Sequence, residues 1–503
     1  MLGGSMKGSI CLVVFLVTSS LVSRAEVRLP KIFTDHMVIQ RDREAPVWGW
    51  ASPGERIVVK FAGQRVRATA DAAGKWTVAL KPLQASAKPR KMTITGGNRI
   101  VLSDVLVGDV WLASGQSNMA YSMGGLWGSN PPPVPPSADK NAKPIVWPQP
   151  AQRIIQDRQS PQCPMVRLNR QMWLQFILPN RPDPVSPGWQ HCSTDTLFDF
   201  SAVAYYFARN LQDALHVPIG VIESAVGGTR IEVWTPLSAY EKSPVFENDA
   251  DLVKGLVDGE VAGRLYKPWI EPLAPFALKG AIWYQGESNV LLVDNRYGTK
   301  MSLLISSWRN AWHEEDLPFY FVQLAPFAYS ESQKSPSATH DLTRETLAEI
   351  RQQQMDVLKD QNTGIALTSD LVDDVHDIHP TDKWNVGHRL ALLALDKTYR
   401  LGNVVSAGPQ FKSMDVIGNQ AFVSFENADG GLASSDGKPL TDFSIAGNDG
   451  KFVPAEAVIQ GDRVLVSSSL IEHPTAVRFA WDEVARPNLA NRSRLPAVPF
   501  KTE

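Results

Sequence analysis

The stretch from Val105 to Met119 constrains the fold more than any other part of this chain. Val105-Leu106-Val107 opens an apolar run that continues through Val110-Trp111-Leu112-Ala113 and breaks at Ser114-Gly115-Gln116-Ser117-Asn118-Met119. An apolar β-rich run ending at a small polar corner reads as a buried strand of an α/β sheet. Such sheets carry their active sites beyond the carboxyl ends of their strands. Ser117 at that corner is a candidate nucleophile, because Gly115 permits a tight turn and the close approach of a reacting carbonyl. An ordinary Ser-Asn turn is the plainer reading of the same residues, so the assignment depends on the rest of the chain.

The 503 residues, 44% apolar and 20% charged, suit a globular chain of several domains. Residues 1–25 carry Lys7, an almost uncharged run from Ile10 to Val22, and Ser23-Arg24-Ala25, the pattern of a secretory signal peptide. This predicts an exported protein, periplasmic or extracellular. No later run reaches the roughly 18 apolar residues that a membrane span needs. The formal charge of -2 becomes more negative once Lys7 and Arg24 leave, which gives no basis for nucleic-acid binding. Cys11 leaves with the same segment. Cys163 and Cys192 then remain in an oxidising compartment, where one disulfide between them and two buried thiols are both open.

Residues 26–104 read as a small β-sandwich module, with strands predicted over 45–50, 56–61, 66–70, 75–80 and 91–95 and turns between them. Asp35-His36 precedes these strands as an isolated acid–histidine pair, for which a structural role is expected. Over 105–401 strands alternate with amphipathic helices, the pattern of a doubly wound parallel sheet in three layers. Val203, Phe207, Leu211 and Leu215 put one apolar face on a helix over 201–215, and further helices are predicted over 297–312, 342–358 and 383–399. Strands are predicted over 217–223, 278–284, 319–324 and 364–368. A proline-dense insertion, about 130–162, contains Pro131-Pro132-Pro133-Val134-Pro135-Pro136 and belongs on the surface. Residues 402–503 return to strand-and-turn character and form a second β module.

Four strand-to-loop corners carry complementary chemistry. Ser117 would attack. Gly227-Gly228 offers unobstructed backbone N–H groups, and Asn289 in Gln285-Gly286-Glu287-Ser288-Asn289 offers a side-chain amide. With the Ser117 N–H these are the donors of an oxyanion hole, each worth up to about 3–4 kcal/mol of barrier. In Asp373-Asp374-Val375-His376-Asp377-Ile378-His379-Pro380, His379 is the candidate base and Asp377 the group that orients it. Rival readings stay open. His376, His379 and the aspartates could hold a metal, although Pro380 interrupts the segment. Ser288 is a second serine after a strand and a glycine. Neither serine sits in a Gly-x-Ser-x-Gly elbow, which argues against the α/β-hydrolase fold. The acids do not fall at two clean strand ends, which argues against a paired-carboxylate glycosidase.

The ordered set Gly115-Gln116-Ser117-Asn118, Gly227-Gly228-Thr229, Gln285 to Asn289 and Asp377-Ile378-His379-Pro380 resembles the SGNH hydrolases, in particular carbohydrate esterases of the sialate O-acetylesterase type. The resemblance extends over nearly the whole chain. Pro30 to Val38 with Val47-Trp48-Gly49-Trp50 resembles that family's opening, and Phe443-Ser444-Ile445-Ala446-Gly447 with Val477-Arg478-Phe479-Ala480-Trp481 its closing module. It implies a three-layer α/β/α, flavodoxin-like SGNH domain flanked by N- and C-terminal β-sandwich modules. It also implies Ser117 as nucleophile, His379 and Asp377 as base and acid, Gly227 and Asn289 in the oxyanion hole, and neither metal nor organic cofactor. The implied substrate is an O-acetylated sugar, either sialic acid or a plant polysaccharide such as xylan or xyloglucan. Gln116, Arg230, Gln285 and Glu287 flank these corners as candidate substrate-binding residues, and an arginine suits a sialic acid carboxylate. Two features depart from the family: the long proline-dense insertion, and Ala225-Val226 where relatives commonly have a tryptophan before the glycine pair. The alternative of another class is a secreted carbohydrate-binding protein with a degenerate hydrolase core; the intact set Ser117, Asn289, Asp377 and His379 argues against it.

Overall fold

The computed structural model describes residues 26–128, 154, 156–157, 160–161, 163–171, 187–249, 252, 256–257, 260–332, 338, 340–428 and 430–502. The predicted signal peptide and nearly all of the proline-dense insertion lie outside these residues. Ahead of the Ser117 corner come β1 (Val38–Gln40), β2 (Ala45–Trp50), β3 (Arg56–Phe61), β4 (Gln64–Thr69), β5 (Lys75–Leu80), β6 (Ser86–Thr95) and β7 (Arg99–Gly115). Along β2, β3 and β5 every second residue is buried, the two-residue period of strands with one face on a core. β2 pairs with β5, and β3 with β4 and β6, all antiparallel.

The first part of β7 pairs antiparallel with β6, and its second part lies inside the central parallel sheet, with every residue from Val105 to Gly115 buried. The strand expected to open at Val105 therefore starts at Arg99, as part of the N-terminal module. Val47, Ile57 and Trp76 of that module share one continuous core with Trp111 and Phe207.

The central sheet adds β8 (Val166–Arg170), β9 (Trp189–His191), β10 (Ile219–Ala225), β11 (Gly280–Tyr284), β12 (Phe319–Val322) and β13 (Thr363–Ala366). Its order is β13-β12-β11-β7-β10-β8-β9, parallel throughout except that β9 runs antiparallel to β8. β10, β11 and β12 are buried at every residue, as suits strands covered on both faces. β8 and β9 were not anticipated. Val166 and Leu168 are the only apolar residues of β8, too few to reveal a buried strand; Asn169 and Arg167, whose guanidinium lies on the carbonyls of Pro164 and Val166, are buried as well. Cys163, before β8, and Cys192, after β9, are joined in a disulfide.

The helices that matter for the site are α1 (Ser117–Ala120), α2 (Ala202–Leu215), α3 (Tyr297–Trp312), α4 (Thr346–Asp356) and α5 (Lys383–Leu393). Ser201 caps α2 by accepting from the Ala204 N–H, and Asp382 caps α5 by accepting from the Asn385 N–H. α5 packs backbone-close on α2 at Gly387, where a Cβ would stand 2.7 Å from the Val203 carbonyl oxygen. The helix expected to reach residue 399 instead changes to a π turn over Ala394–Thr398. Consecutive residues of β12 meet different partners: Phe319 packs on Trp308 of α3, and Tyr320 stacks on Trp111 and bonds Thr398.

After α5 the chain forms two four-stranded antiparallel sheets around a separate core that includes Val423, Ile445, Val464 and Phe479. This C-terminal part reaches the loops that follow β12 and β13. The Phe327 N–H donates to the Glu483 carbonyl, the Ser330 N–H to the Glu483 carboxylate, and Arg486 to the Asp373 carbonyl. Among the described residues no helix is long and apolar enough to cross a membrane.

Candidate active site

β7 ends at Gly115 with φ +141°, and the following Gln116 N–H donates to the Tyr284 carbonyl at the end of β11, 2.9 Å away. Two strand ends thus meet at one corner, and Ser117 emerges there half-buried as the first residue of α1. The end of β10 closes the same corner. The Val226 N–H donates to the Gly115 carbonyl, and a Cβ built on Gly227 would lie 3.4 Å from Cβ of Ser117. Gly227 and Gly228 are exposed, and neither the Ser117 nor the Gly227 N–H has an acceptor among the described residues. The result is a serine beside two unengaged donors at the surface end of a rigid sheet.

Side chains lock this corner to its neighbours. Gln116 Oε1 accepts from the backbone N–H groups of Gly286 (3.2 Å) and Ser288 (3.3 Å) and from Gln285 Nε2 (3.1 Å). Asn118 bridges three segments. Its Nδ2 donates to Glu287 and to the Ile378 carbonyl (3.0 Å), and its Oδ1 accepts from Lys383 Nζ. Lys383 is fully buried, its ammonium 5.0 Å from the centre of the Tyr121 ring and 5.7 Å from that of Tyr284. Burial pushes the Lys383 amine down to about 7, against the pull of Glu287, Asp377 and Asp382. Burial likewise raises the Glu287 carboxyl, with the Asn118 hydrogen bond and the Lys383 charge opposing.

The Asn118–Ile378 bond brings the His379 segment to the serine corner. The His379 ring centre is 6.2 Å from that of Tyr121, and its side chain is 37% exposed. Burial and then the Lys383 charge hold the imidazole below its usual range, against Asp377, so the ring is neutral at pH 7 and free to accept a proton. Asp377 Oδ1 accepts from the His379 backbone N–H at 2.9 Å and stands 4.0 Å from ring Nδ1. No hydrogen bond joins the ring to Ser117 among the described residues; in empty sites such bonds are often long and tighten only around substrate. His376 faces elsewhere, towards Asp374 (3.3 Å) and Glu331 (3.4 Å), so the two histidines address different acids.

Several candidates are engaged by neighbouring side chains. Asn289 was expected to aim its amide at the reacting oxygen. Instead Nδ2 donates to Asp294 (2.9 Å) and Glu232 (3.2 Å), and Oδ1 accepts from Gln285 Nε2 (2.8 Å) and the Ile231 N–H (3.2 Å). The physical reason is the buried pair Glu232 and Asp294, which shares the ammonium of Lys300 at 2.7 Å from each and also draws the Asn289 amide. Gln285 is fully buried, donating to Gln116, Asn289 and the Thr229 carbonyl and accepting from the Tyr297 hydroxyl. Gln116 and Glu287 are both buried. Ser288 is half-buried with its N–H on Gln116. Arg230 stays at the rim, half-buried next to the exposed glycine pair; burial lowers its guanidinium, and Glu232, Glu260 and Asp294 oppose this. Sequence reasoning missed Asn118, Lys383, Asp294 and Lys300. One signal was available for Lys383: a lysine at the first position of a helix opposes the helix dipole, and that needs another reason to be there.

Residues 107–396 match the family described as carbohydrate esterase, sialic acid-specific acetylesterase. The chain is 27% identical to a sialate O-acetylesterase of Pongo abelii and 26% to one of Homo sapiens, each alignment covering 94% of this chain and 92% of the relative. Its fold is similar to the crystal structure of a carbohydrate acetylesterase from Xanthomonas citri, with a TM-score of 0.77, 32% identity, and coverage of 95% of this chain and 100% of that one.

Proposed function

Since the chain belongs to the sialic acid-specific acetylesterase family of carbohydrate esterases, we propose that its ester hydrolysis takes place at the corner where β7, β10 and β11 end, with Ser117 as nucleophile. The protein is a carboxylic ester hydrolase that removes O-acetyl groups from sugars. The observation that carries the site is the pair of unengaged N–H groups, of Ser117 and Gly227, beside the exposed serine corner.

The neutral His379 takes the Ser117 hydroxyl proton as the oxygen attacks the acetyl carbonyl. The developing oxyanion is stabilised by the Ser117 and Gly227 N–H groups, each worth up to about 3–4 kcal/mol when aimed at it. The imidazolium then gives its proton to the departing sugar oxygen, leaving an acetyl-serine. A water molecule deprotonated by the same ring releases acetate and restores Ser117. Asp377 holds the ring and stabilises its charged form across the short gap to Nδ1. Neither a metal nor an organic cofactor enters this scheme. Asn289, its amide held on Glu232 and Asp294, acts by fixing the loop after β11 rather than as an oxyanion donor.

For the sugar, the favoured reading is an O-acetylated sialic acid, whose carboxylate Arg230 at the rim would meet. Acetylated xylan or xyloglucan is the second. The remaining features belong to the same reading. Residues 1–25 direct export, and 26–104, 105–401 and 402–503 are an N-terminal β module, the catalytic domain and a C-terminal β module. The different partners of Phe319 and Tyr320 support helices on both faces of the catalytic sheet, a three-layer arrangement. The test is acetate release from O-acetylated sialoglycoprotein, acetylated xylan and xyloglucan side by side, with Ser117→Ala as blank. Release from the first alone establishes a sialate esterase, release from the plant polymers moves the substrate there, and activity surviving in the blank overturns the nucleophile.

A further inference from the structure

At the other end of β7 from Ser117, three side chains from three segments converge: His36 ahead of β1, Asp104 within β7, and His191 at the end of β9. His36 Nδ1 stands 2.9 Å and His191 Nε2 3.0 Å from the same Asp104 oxygen, and the three ligand atoms all lie within 4.8 Å of one another. We propose that His36, Asp104 and His191 form a binding site for a divalent transition metal, Zn²⁺ by the chemistry of its donors, which fastens the N-terminal segment to β7 and to the disulfide-linked β8–β9 pair.

Two imidazoles and one carboxylate are a zinc donor set, soft enough to exclude Ca²⁺ and Mg²⁺, which take oxygen ligands. Tetrahedral bonds of about 2.0–2.1 Å hold ligand atoms roughly 3.3 Å apart. Two of the three separations here are short of that by only a few tenths of an ångström, within reach of small side-chain rotations. The histidine side chains are 39% and 54% exposed, which gives an ion a path in and leaves its fourth position to water.

The support behind these donors is fixed independently of them. Arg167 Nη2 lies 3.3 Å from the same Asp104 oxygen that faces both histidines, and Nη1 is tied to the Pro164 (3.0 Å) and Val166 (3.2 Å) carbonyls. The guanidinium therefore orients the carboxylate and keeps it ionised, as outer partners of metal ligands do, while its positive charge moderates the affinity for a cation. His36 and Asp104 both hold left-handed backbone, φ +66° and +52°, in a clasp where the His36 N–H donates to the Ser103 carbonyl and the Ser103 N–H to Asp35. Left-handed backbone at two non-glycine positions persists only where the surroundings fix it. The isolated Asp35-His36 pair of the sequence thereby gains a role. The site lies up to roughly 35 Å along the strand from the Ser117 corner, at about 3.3 Å per residue, so the ion would be structural and apart from ester hydrolysis. The rival is a metal-free clamp in which each imidazole donates a hydrogen bond to Asp104.

The two are separated with mature protein carrying no histidine tag, stripped with EDTA and titrated with Zn²⁺ by calorimetry while thermal unfolding and acetyl-ester hydrolysis are followed in parallel. The expected result is one tight equivalent, a melting temperature that rises with it, and turnover unchanged with or without the ion. His191→Gln and His36→Gln each weaken that binding by at least about tenfold and abolish the melting shift, while retaining turnover, which shows that they are folded. Cobalt in place of zinc gives the intense visible bands of a tetrahedral site in the wild type and not in His191→Gln. The proposal is overturned if no stoichiometric Zn²⁺ binding occurs, if both variants bind as the wild type does, or if the bound ion leaves the melting temperature where it was.

Discussion

Replacing Gly115 with alanine tests whether the meeting of β7 and β11 sets the nucleophile. A Cβ at this position would stand 2.1 Å from the Tyr284 carbonyl oxygen, 2.7 Å from its carbon and 3.0 Å from its nitrogen. All three are backbone atoms, so no rotamer change relieves the overlap. Cβ contacts essentially never fall below 3.0 Å, so the strands must part by about 1 Å at this point. That oxygen also accepts the Gln116 N–H at 2.9 Å, and moving it away breaks a buried hydrogen bond worth about 1–3 kcal/mol. A non-glycine residue at φ +141° adds about 1–3 kcal/mol of backbone strain. The expected destabilisation is therefore about 2–6 kcal/mol, measurable by denaturant unfolding. Because Ser117 is two residues on, a shift of about 1 Å should lower turnover roughly 100-fold even in the fraction that folds. The assay is acetate release at a temperature where circular dichroism shows native protein, with Gly402→Ala as control because nothing lies within 4 Å of a Cβ there. A Gly115→Ala protein that melts and turns over like the control would refute the claim that this contact positions the serine.

The remaining predictions concern charges around the corner. Because His379 sits below its usual range through burial and Lys383, and must be neutral to accept a proton, the acid limb of kcat/KM should fall below the ordinary histidine value of 6.5. Lys383→Met removes the neighbouring positive charge and should move that limb to higher pH; an unmoved limb would show that the lysine charge is not felt at the ring. Lys383 itself binds a proton less readily in the native state, near 7, than in the unfolded state, near 10.5. Wild-type stability relative to Lys383→Met should therefore rise between about pH 7 and 10.5, and a flat difference in unfolding free energy would contradict this. Asn289→Ala leaves Glu232 and Asp294 short of donors and should cost about 1–3 kcal/mol of stability. A loss of 100-fold or more in kcat at unchanged stability would instead restore Asn289 to the oxyanion hole.

Much of the fold was legible because buried parallel strands are written as uninterrupted apolar runs. β10, β11 and β12 fell close to the predicted segments, and α3 fell on 297–312. β8 was illegible because only Val166 and Leu168 of its five residues are apolar, while Arg167 and Asn169 are buried beside them. At the site, the convergence of the serine corner, the glycine pair and the His379 segment followed from the rule that such sheets act at their carboxyl ends. The direction in which an amide faces did not. Whether Asn289 addresses Ser117 or a buried acid pair depends on Lys300 and Asp294, residues that carry no local signal. Lys383 was hidden for a similar reason: its burial rests on Asn118 and the faces of Tyr121 and Tyr284, drawn from two segments distant in sequence.

That one strand serves both the N-terminal module and the catalytic sheet has a bearing on how the chain reaches its native state. The β6–β7 hairpin closes through Thr95 and Arg99, a local contact of the kind that forms in about 1–10 μs. The parallel partners of β7 enter the sheet from far along the chain, β10 after Pro218 and β11 after Lys279, and pairing at such separation is slow. A hairpin that forms first would fix the register of β7 before β10 and β11 arrive. A slip of one residue there would turn every side chain of the strand to its opposite face and carry the serine corner with it. On that order of events the placing of the serine corner would depend on a module that holds none of the candidate site residues.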